Sequence, residues 1–211
     1  MAVADPTLEI ERGLHEEGAS WVLGCDEVGR GAIAGPVAVG VSAVLPDCEP
    51  IPVGLRDSKM LSEKRREALY PVAQSWCSVS AVGLADAGEV DRVGIVVALG
   101  LAARRALVQL HESGVGILDS VVLLDGSHDW LTPALSRPPR VVTRVKADRD
   151  CASVAAASVI AKVHRDRMMI AYDAEHPGYG WAGNKGYGSS AHYDALRLLG
   201  PSPIHRLSWL H

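Results

Sequence analysis

No uninterrupted apolar run in this 211-residue chain approaches the eighteen or so residues of a membrane span, so no membrane partner is expected. The segment from Met1 to Ala19 carries acidic residues where a secretory signal carries basic ones, which points to the cytoplasm. Cysteine is scarce: Cys25, Cys48, Cys77 and Cys151 stand far apart with no Cys-x-x-Cys pair. That excludes a thiolate zinc site and a disulfide framework, and leaves ordinary buried thiols. Gly-x-Gly-x-x-Gly, a Gly-Lys-Ser phosphate loop and His-Glu-x-x-His are all missing, as is any internal repeat, so the common dinucleotide, nucleoside-triphosphate and zinc-hydrolase signatures do not apply.

Positive charge is also in deficit, with a formal net charge of -4. A phosphate-binding protein normally presents a basic surface. The average conceals an asymmetry, because Arg137 to Arg167 holds eight Lys or Arg against three Asp, while Glu9, Glu11, Glu16 and Glu17 make the N-terminal arm acidic. Arg144, Lys146, Lys162 and Arg165 are the leading candidates for a local phosphate-binding face on an acidic body.

What is present begins with Gly24-Cys25-Asp26-Glu27-Val28-Gly29-Arg30-Gly31, two carboxylates set against a Gly-Arg-Gly turn between two apolar runs. An unpaired buried carboxylate costs several kcal/mol, roughly, so something cationic must answer this pair. Trp21 to Cys25 reads as a strand entering Asp26, and Val37, Val39, Val41 and Ala43 mark a second strand of the same hairpin. Leu61 to Trp76 reads as a helix with Ala68, Leu69, Val72 and Trp76 on one side, ended or kinked by Pro71. Ser78 to Leu84 alternates as a strand. Glu89 to Leu110 is helical in pattern, striped by Val93, Val97, Leu101 and Leu107 and weakened by Gly94 and Gly100.

Val121 to Leu124 reads as a buried strand delivering Asp125, and Val141 to Val145 as a strand leading to Lys146-Ala147-Asp148. A helix of small residues from Val154 to Val163 then allows close approach to the sheet. Pro177 and Gly178 end it, and Ala191 to Leu199 forms a shorter one. Strands followed by alternating helix and strand imply an α/β fold with a central mixed sheet flanked by helices. The length fits one catalytic domain over 1–211, with 1–20 a helical or flexible arm and about 170–211 a C-terminal helical segment.

Asp26, Glu27, Asp125 and Asp148 thus stand at or beyond the ends of three expected strands. Each alone is a turn or cap residue. Four like charges converging on one point repel unless divalent ions bridge them, and two metals about 3.5 to 4 Å apart are the usual arrangement for phosphodiester cleavage.

These motifs, with Ala34-Gly35-Pro36-Val37, Asp57-Ser58-Lys59, Leu124-Asp125-Gly126, Ser153 to Lys162 with Arg165-Asp166, Lys185-Gly186-Tyr187 and His192, run in an order that closely resembles the bacterial type 2 ribonuclease H family. The resemblance spans about residue 21 to Leu207. It implies a ribonuclease H-like fold and an endonuclease that cuts the RNA strand of RNA–DNA hybrids and nicks 5′ of single ribonucleotides embedded in duplex DNA, leaving 5′-phosphate and 3′-hydroxyl ends. It further implies Asp26, Glu27, Asp125 and Asp148 as ligands of two divalent ions, Mg2+ or Mn2+. The backbone of Gly29, Arg30 and Gly31 would hold the 2′-hydroxyl, Tyr187 would pack on the sugar of the following deoxynucleotide, and Arg30 and Lys59 would contact phosphate. Ala147 stands where the family usually has Gly, which forbids easy positive φ there and requires an ordinary local path.

A monomer is expected. Leu207 to His211 lacks the paired aromatics of a sliding-clamp peptide, so no such partner is expected. Among His111, His164, His176, His192 and His205 no pair sits at a spacing that predicts a shared site, and His192 is open to a structural hydrogen bond or a substrate contact. Trp181 is a candidate for lying near substrate. Two other functions remain: a junction-specific DNA nuclease, which would not need Gly29-Arg30-Gly31 with Tyr187, and a non-catalytic hybrid-binding module, which would gain nothing from four carboxylates beside phosphate.

Overall fold

Runs of valine and alanine, which suit a pleated surface covered on both sides, build the centre of the molecule. The computed structural model describes residues 5–210. In chain order the elements are α1 (Glu9–Glu16), β1 (Trp21–Val28), β2 (Val37–Val44), α2 (Glu63–Trp76), β3 (Val79–Ala85), α3 (Ala87–Val93), α4 (Ile95–Glu112), β4 (Ser120–Asp125), β5 (Arg140–Arg144), α5 (Ala147–Asp150), α6 (Ala152–Glu175), α7 (Trp181–Asn184) and α8 (Ser190–Leu199). The strands form one mixed sheet in the order β3-β2-β1-β4-β5. β1 pairs antiparallel with β2 and parallel with β4, which in turn runs parallel to β5. This is the expected central mixed sheet flanked by helices.

Alternation along each strand separates two cores. Leu23, Cys25, Val39, Val41, Val122 and Leu124 face α4, whose covering residues are Ala98, Leu99, Ala102, Ala103, Ala106, Leu107 and Leu110. Val22, Val44, Val121 and Leu123 face the other way, onto Ala152, Val154, Ala155, Val159 and Ile160 of α6 and onto α1 and α2. The small residues of α6 allow contact distance: a Cβ on Gly24 or Gly40 would collide with the α6 backbone at Ser153 or Ala157. The close packing expected of this helix is therefore present, and it fixes the height of β1 relative to the turn that carries Asp148.

Several expectations shift. Asp26 and Glu27 lie inside β1, paired with Gly40 and Val39, rather than beyond its end. The long helix expected from Glu89 is two helices broken at Gly94, which takes φ 77°. Val93 and Val97 are exposed, because alanines instead of valines make the face of α4 that reaches the sheet. Pro71 neither ends nor breaks α2, and Val72 is exposed while Ala73 and Trp76 are buried. Of the arm at 1–20, residues 1–4 lie outside the described residues, as does His211 of the C-terminal segment. The rest of the arm is ordered by Leu8 and Leu14 in the core, and Glu11 is buried, accepting hydrogen bonds from Ser153 N at 2.9 Å and Ser153 Oγ at 2.7 Å. Glu11 therefore lends no acidity to the surface, while Glu9, Glu16 and Glu17 are exposed. No helix among the described residues is long and apolar enough to cross a membrane.

Candidate active site

Residues 22, 24 and 26 of β1 share the sheet face packed by α6, and residues 121, 123 and 125 of β4 share it too, since strand side chains alternate. That parity puts the Asp26 and Asp125 side chains beside each other at one end of the sheet. Asp148, in the first turn of α5, completes the group. One carboxylate oxygen from each of Asp26, Asp125 and Asp148 lies within 4.8 Å of the others. Glu27, one residue along β1, leaves the strand on the other side by parity and is the one expected ligand outside this trio, although its charge still acts on Asp26 and Asp125; its Oε1 accepts from Arg30 Nη1 at 3.4 Å.

The turn that delivers Asp148 depends on an unexpected residue. Ala147 follows an ordinary helical path, as required, but Lys146 before it adopts the left-handed conformation at φ 63°. The expected simple path through this turn is thus corrected at Lys146. The twist aims the Ala147 and Asp148 amides at Asp125 Oδ1, at 2.7 and 3.3 Å. Asp125 is in this way oriented by the backbone of its neighbour ligand.

Asp26 is 2% exposed. Its Oδ1 accepts from the Glu27 amide at 2.9 Å, while Oδ2 is buried with no hydrogen-bond partner. The Ser158 hydroxyl nearby is engaged with Ser58 Oγ at 2.8 Å. Burial pushes the Asp26 carboxyl well above the ordinary carboxylate range, and the charges of Glu27 and Asp125 add to this while Lys59 opposes it. Burial and the neighbouring Asp148 charge likewise raise Asp125, and burial raises Glu27 against the pull of Arg30. A buried carboxylate oxygen without a donor, among carboxylates that repel one another, fits a bound cation, whose charge would replace the missing donor and offset the repulsion. The all-oxygen donor set suits a hard divalent ion.

Lys59 meets this need in part. Its Nζ lies 2.6 Å from Asp148 Oδ2 and 3.8 Å from Asp57 Oδ1, although the side chain is 66% exposed. Burial works against its charge, but the bond to Asp148 and the fields of Asp26, Asp148 and Asp57 leave its pKa raised. Being exposed, it can swing away from the aspartates.

The Gly-Arg-Gly turn sits beside this group and is held from below by two buried arginines. Arg206 donates to the carbonyls of Gly29 at 2.7 Å, Arg30 at 3.0 Å and Gly35 at 3.2 Å. Arg165 donates to Pro36 O at 2.8 Å, Lys185 O at 2.8 Å and Ala34 O at 3.1 Å. Ile33 and Ala34 donate to Gly186 O, which joins the turn to Lys185-Gly186-Tyr187. The Arg165 guanidinium also lies 5.6 Å from the centre of the Tyr187 ring, which is 38% exposed. The amides of Arg30 and Gly31 make no hydrogen bond among the described residues.

Arg165 is therefore not a surface phosphate contact, since its guanidinium is fully buried and engaged with carbonyls. Lys162 is a poor candidate for the same reason: it is mostly buried and donates to Asp166 at 2.6 Å. Arg144 pairs with Asp150 and Arg167 with Glu67, so the expected basic face is largely neutralised by partners. Lys146, Lys59 and Arg30 remain as exposed cations around the aspartates. Arg206 was not legible as a site residue, because near the C-terminus it belongs to no charge cluster or motif. Replacing Arg165 by Met should leave three buried carbonyls without donors and destabilise the fold by about 3 kcal/mol or more. Urea unfolding measures this, and a change within about 0.5 kcal/mol would return Arg165 to the surface role.

Trp181 and His192 also move away from substrate. Trp181 is fully buried, stacked on Tyr179 with ring centres 4.8 Å apart. His192 is fully buried and within 3.0 Å of His205, so two histidines do share a site despite a spacing that announces none.

The Ribonuclease HII family model matches residues 23–211. The chain is 45% identical over 212 residues to the ribonuclease HII of Streptomyces avermitilis, covering 100% of this chain and 86% of that protein. It is 46% identical over 209 residues to that of Caulobacter vibrioides, covering 97% and 89%. Its fold is similar to the crystal structure of ribonuclease H2 from Pyrococcus horikoshii OT3, with a TM-score of 0.70 at 27% identity over 90% of this chain and 93% of the other.

Proposed function

Because the chain belongs to the ribonuclease HII family, it is a type 2 ribonuclease H endonuclease, and we propose that it nicks the 5′ side of ribonucleotides in duplex DNA with two divalent ions held by Asp26, Glu27, Asp125 and Asp148. The observation that carries the metal assignment is the trio of aspartates with a buried, unpartnered Asp26 oxygen. Bound Mg2+ or Mn2+ would supply Lewis-acid stabilisation of charge on the attacking and departing oxygens of the phosphodiester.

The chain's own residues do the rest. The Ala147 and Asp148 amides hold Asp125 in one orientation, and the burial of Asp26 prevents its carboxylate from turning to solvent. Arg165 and Arg206 fix the Gly29-Arg30-Gly31 backbone. Their partners here are carbonyls rather than carboxylates, so their charge is left to favour a phosphate above the turn. Burial and the Arg165 charge bring Arg206 down to about 10, so it remains a cation at neutral pH. The unpaired amides of Arg30 and Gly31 can meet the 2′-hydroxyl, which is both donor and acceptor and distinguishes RNA from DNA at a site. Tyr187, exposed and tied to the same turn through Arg165 and Gly186, would pack on the following deoxyribose. Lys59, Arg30 and Lys146 would meet phosphates.

The substrates under this reading are RNA–DNA hybrids and duplexes with single embedded ribonucleotides, met by a monomer in the cytoplasm without a sliding-clamp peptide. The test is a duplex carrying one ribonucleotide, compared with the same duplex bearing hydrogen or methoxy at that 2′ position. Hydrogen leaves the turn's polar groups unpaired and methoxy also collides, so both should abolish the nick. Equal cleavage of the deoxy duplex would instead support a junction-type DNA nuclease, and binding without scission a non-catalytic module.

A further inference from the structure

Behind Tyr187 lies a chain of polar groups that the reaction itself does not use. Ser202 N–H donates to His205 Nδ1 at 2.9 Å, with the Ser202 hydroxyl also at 2.9 Å. His205 Nε2 and His192 Nε2 are 3.0 Å apart. Trp181 Nε1–H donates to the same His192 Nε2 at 3.0 Å, and His192 Nδ1 lies 2.9 Å from the carbonyl oxygen of Tyr187.

The donors fix every proton in this chain. A backbone N–H can only donate, so His205 Nδ1 is an acceptor and its proton sits on Nε2. An indole N–H can only donate as well, so His192 Nε2 accepts from both Trp181 and His205. The His192 proton then resides on Nδ1, where it meets the Tyr187 carbonyl, which can only accept. One arrangement of two neutral rings satisfies all five groups. Adding a proton to either ring would set two donors against each other. His192 is fully buried and His205 nearly so, and the rings of Tyr179 and Trp181 lie against both.

The same short segment reaches the other half of the substrate site. His205 bridges to Ala34 of the Gly-Arg-Gly loop, and the adjacent Arg206 holds the Gly29 and Arg30 carbonyls. We propose that His205 and His192 are positioning residues, a tautomer-locked strut that sets Tyr187 at the height of the sugar while Arg206 sets the turn that faces the 2′-hydroxyl. The inference rests on the reading of Tyr187 as a sugar contact. It gives Ser202 to Arg206 the task of keeping the two elements in register, so its loss should impair recognition of the ribose–deoxyribose junction more than phosphodiester cleavage itself.

The experiment compares a single-ribonucleotide duplex with an uninterrupted RNA–DNA hybrid as substrates for wild type, Tyr187→Ala, His205→Ala and His205→Gln. Losing the His205 contacts to His192 and Ser202 should lower cleavage of the junction substrate about tenfold or more relative to the hybrid, mainly through KM. His205→Gln, whose amide carries both an acceptor and a donor, should recover part of that ratio. Nitrogen-15 shifts of the wild-type histidines at neutral pH should show His205 protonated at Nε2 only and His192 at Nδ1 only. An imidazolium at either position, or an equal loss on both substrates with no rescue by Gln, overturns the proposal. If Tyr187→Ala keeps the wild-type ratio, the sugar-contact reading and the strut fall together. If Tyr187→Ala loses it while His205→Ala does not, the strut alone is wrong.

Discussion

Asp26→Asn and Asp125→Asn proteins are expected to lose more than about a hundredfold in cleavage while remaining folded, because residues that merely orient metal ligands already cost 10- to 100-fold when removed. The expected change in stability has the opposite sign. Burial raises the Asp26 carboxyl above its unfolded value, so in metal-free protein its ionised form is disfavoured by folding. The penalty is fully present above the folded pKa and disappears as the pH falls toward the ordinary value near 3.8. Metal-free wild type should therefore gain stability on mild acidification through that window, and Asp26→Asn should be the more stable protein at neutral pH. Added Mn2+ should reverse the order by stabilising only a native site that binds it. Urea unfolding with chelator and with Mn2+ measures both, and full cleavage by Asp125→Asn at millimolar magnesium would remove it from the ligand set.

Gly29→Ala and Gly31→Ala are expected to fail for different reasons. Gly29 has φ 83°, and a Cβ there would drive into the Arg165 guanidinium. Left-handed backbone costs an L-residue roughly 1–2 kcal/mol, and displacing Arg165 would orphan buried carbonyls at about 1–3 kcal/mol each. Gly29→Ala should lose several kcal/mol of stability, roughly, and activity with it. At Gly31 a Cβ meets nothing within 4 Å. Gly31→Ala should then melt with wild type, within about 0.5 kcal/mol, yet bind the ribonucleotide duplex poorly, since only a bare Cα lets the backbone approach a sugar closely. Thermal unfolding and KM separate the two, and a Gly31→Ala protein with wild-type KM would place the sugar elsewhere.

The strands were legible because β-branched alternation marks them, and Asp26, Asp125 and Asp148, which the structure brings together, were legible as carboxylates at or just past strand ends. Parity separates Glu27 from the trio: it leaves β1 on the other side from Asp26, yet its charge still acts on Asp26 and Asp125 at the strand's end. Arg165 was misread because a buried clamp and a surface phosphate contact are written with the same residue in the same kind of basic stretch. Only the packing of α6 beneath Gly29 and Gly35 decides between them. The His192–His205 pair was invisible because the turn after α8 brings together residues at no regular helical or strand spacing. The positive φ of Lys146 was hidden for another reason: lysine is not a residue that marks a left-handed turn, and here it takes the turn that Ala147 does not.

If the aspartates and the Gly-Arg-Gly turn form a metal-dependent site, the 2′-hydroxyl is read there and not used as nucleophile. End-group analysis of a nicked single-ribonucleotide duplex, with magnesium or manganese and with chelator, tests it most directly. The expected result is a cut 5′ of the ribonucleotide, only with metal, leaving a 3′-hydroxyl upstream and a 5′-phosphate on the ribonucleotide. A 2′,3′-cyclic phosphate, or cleavage that persists in chelator, would contradict it.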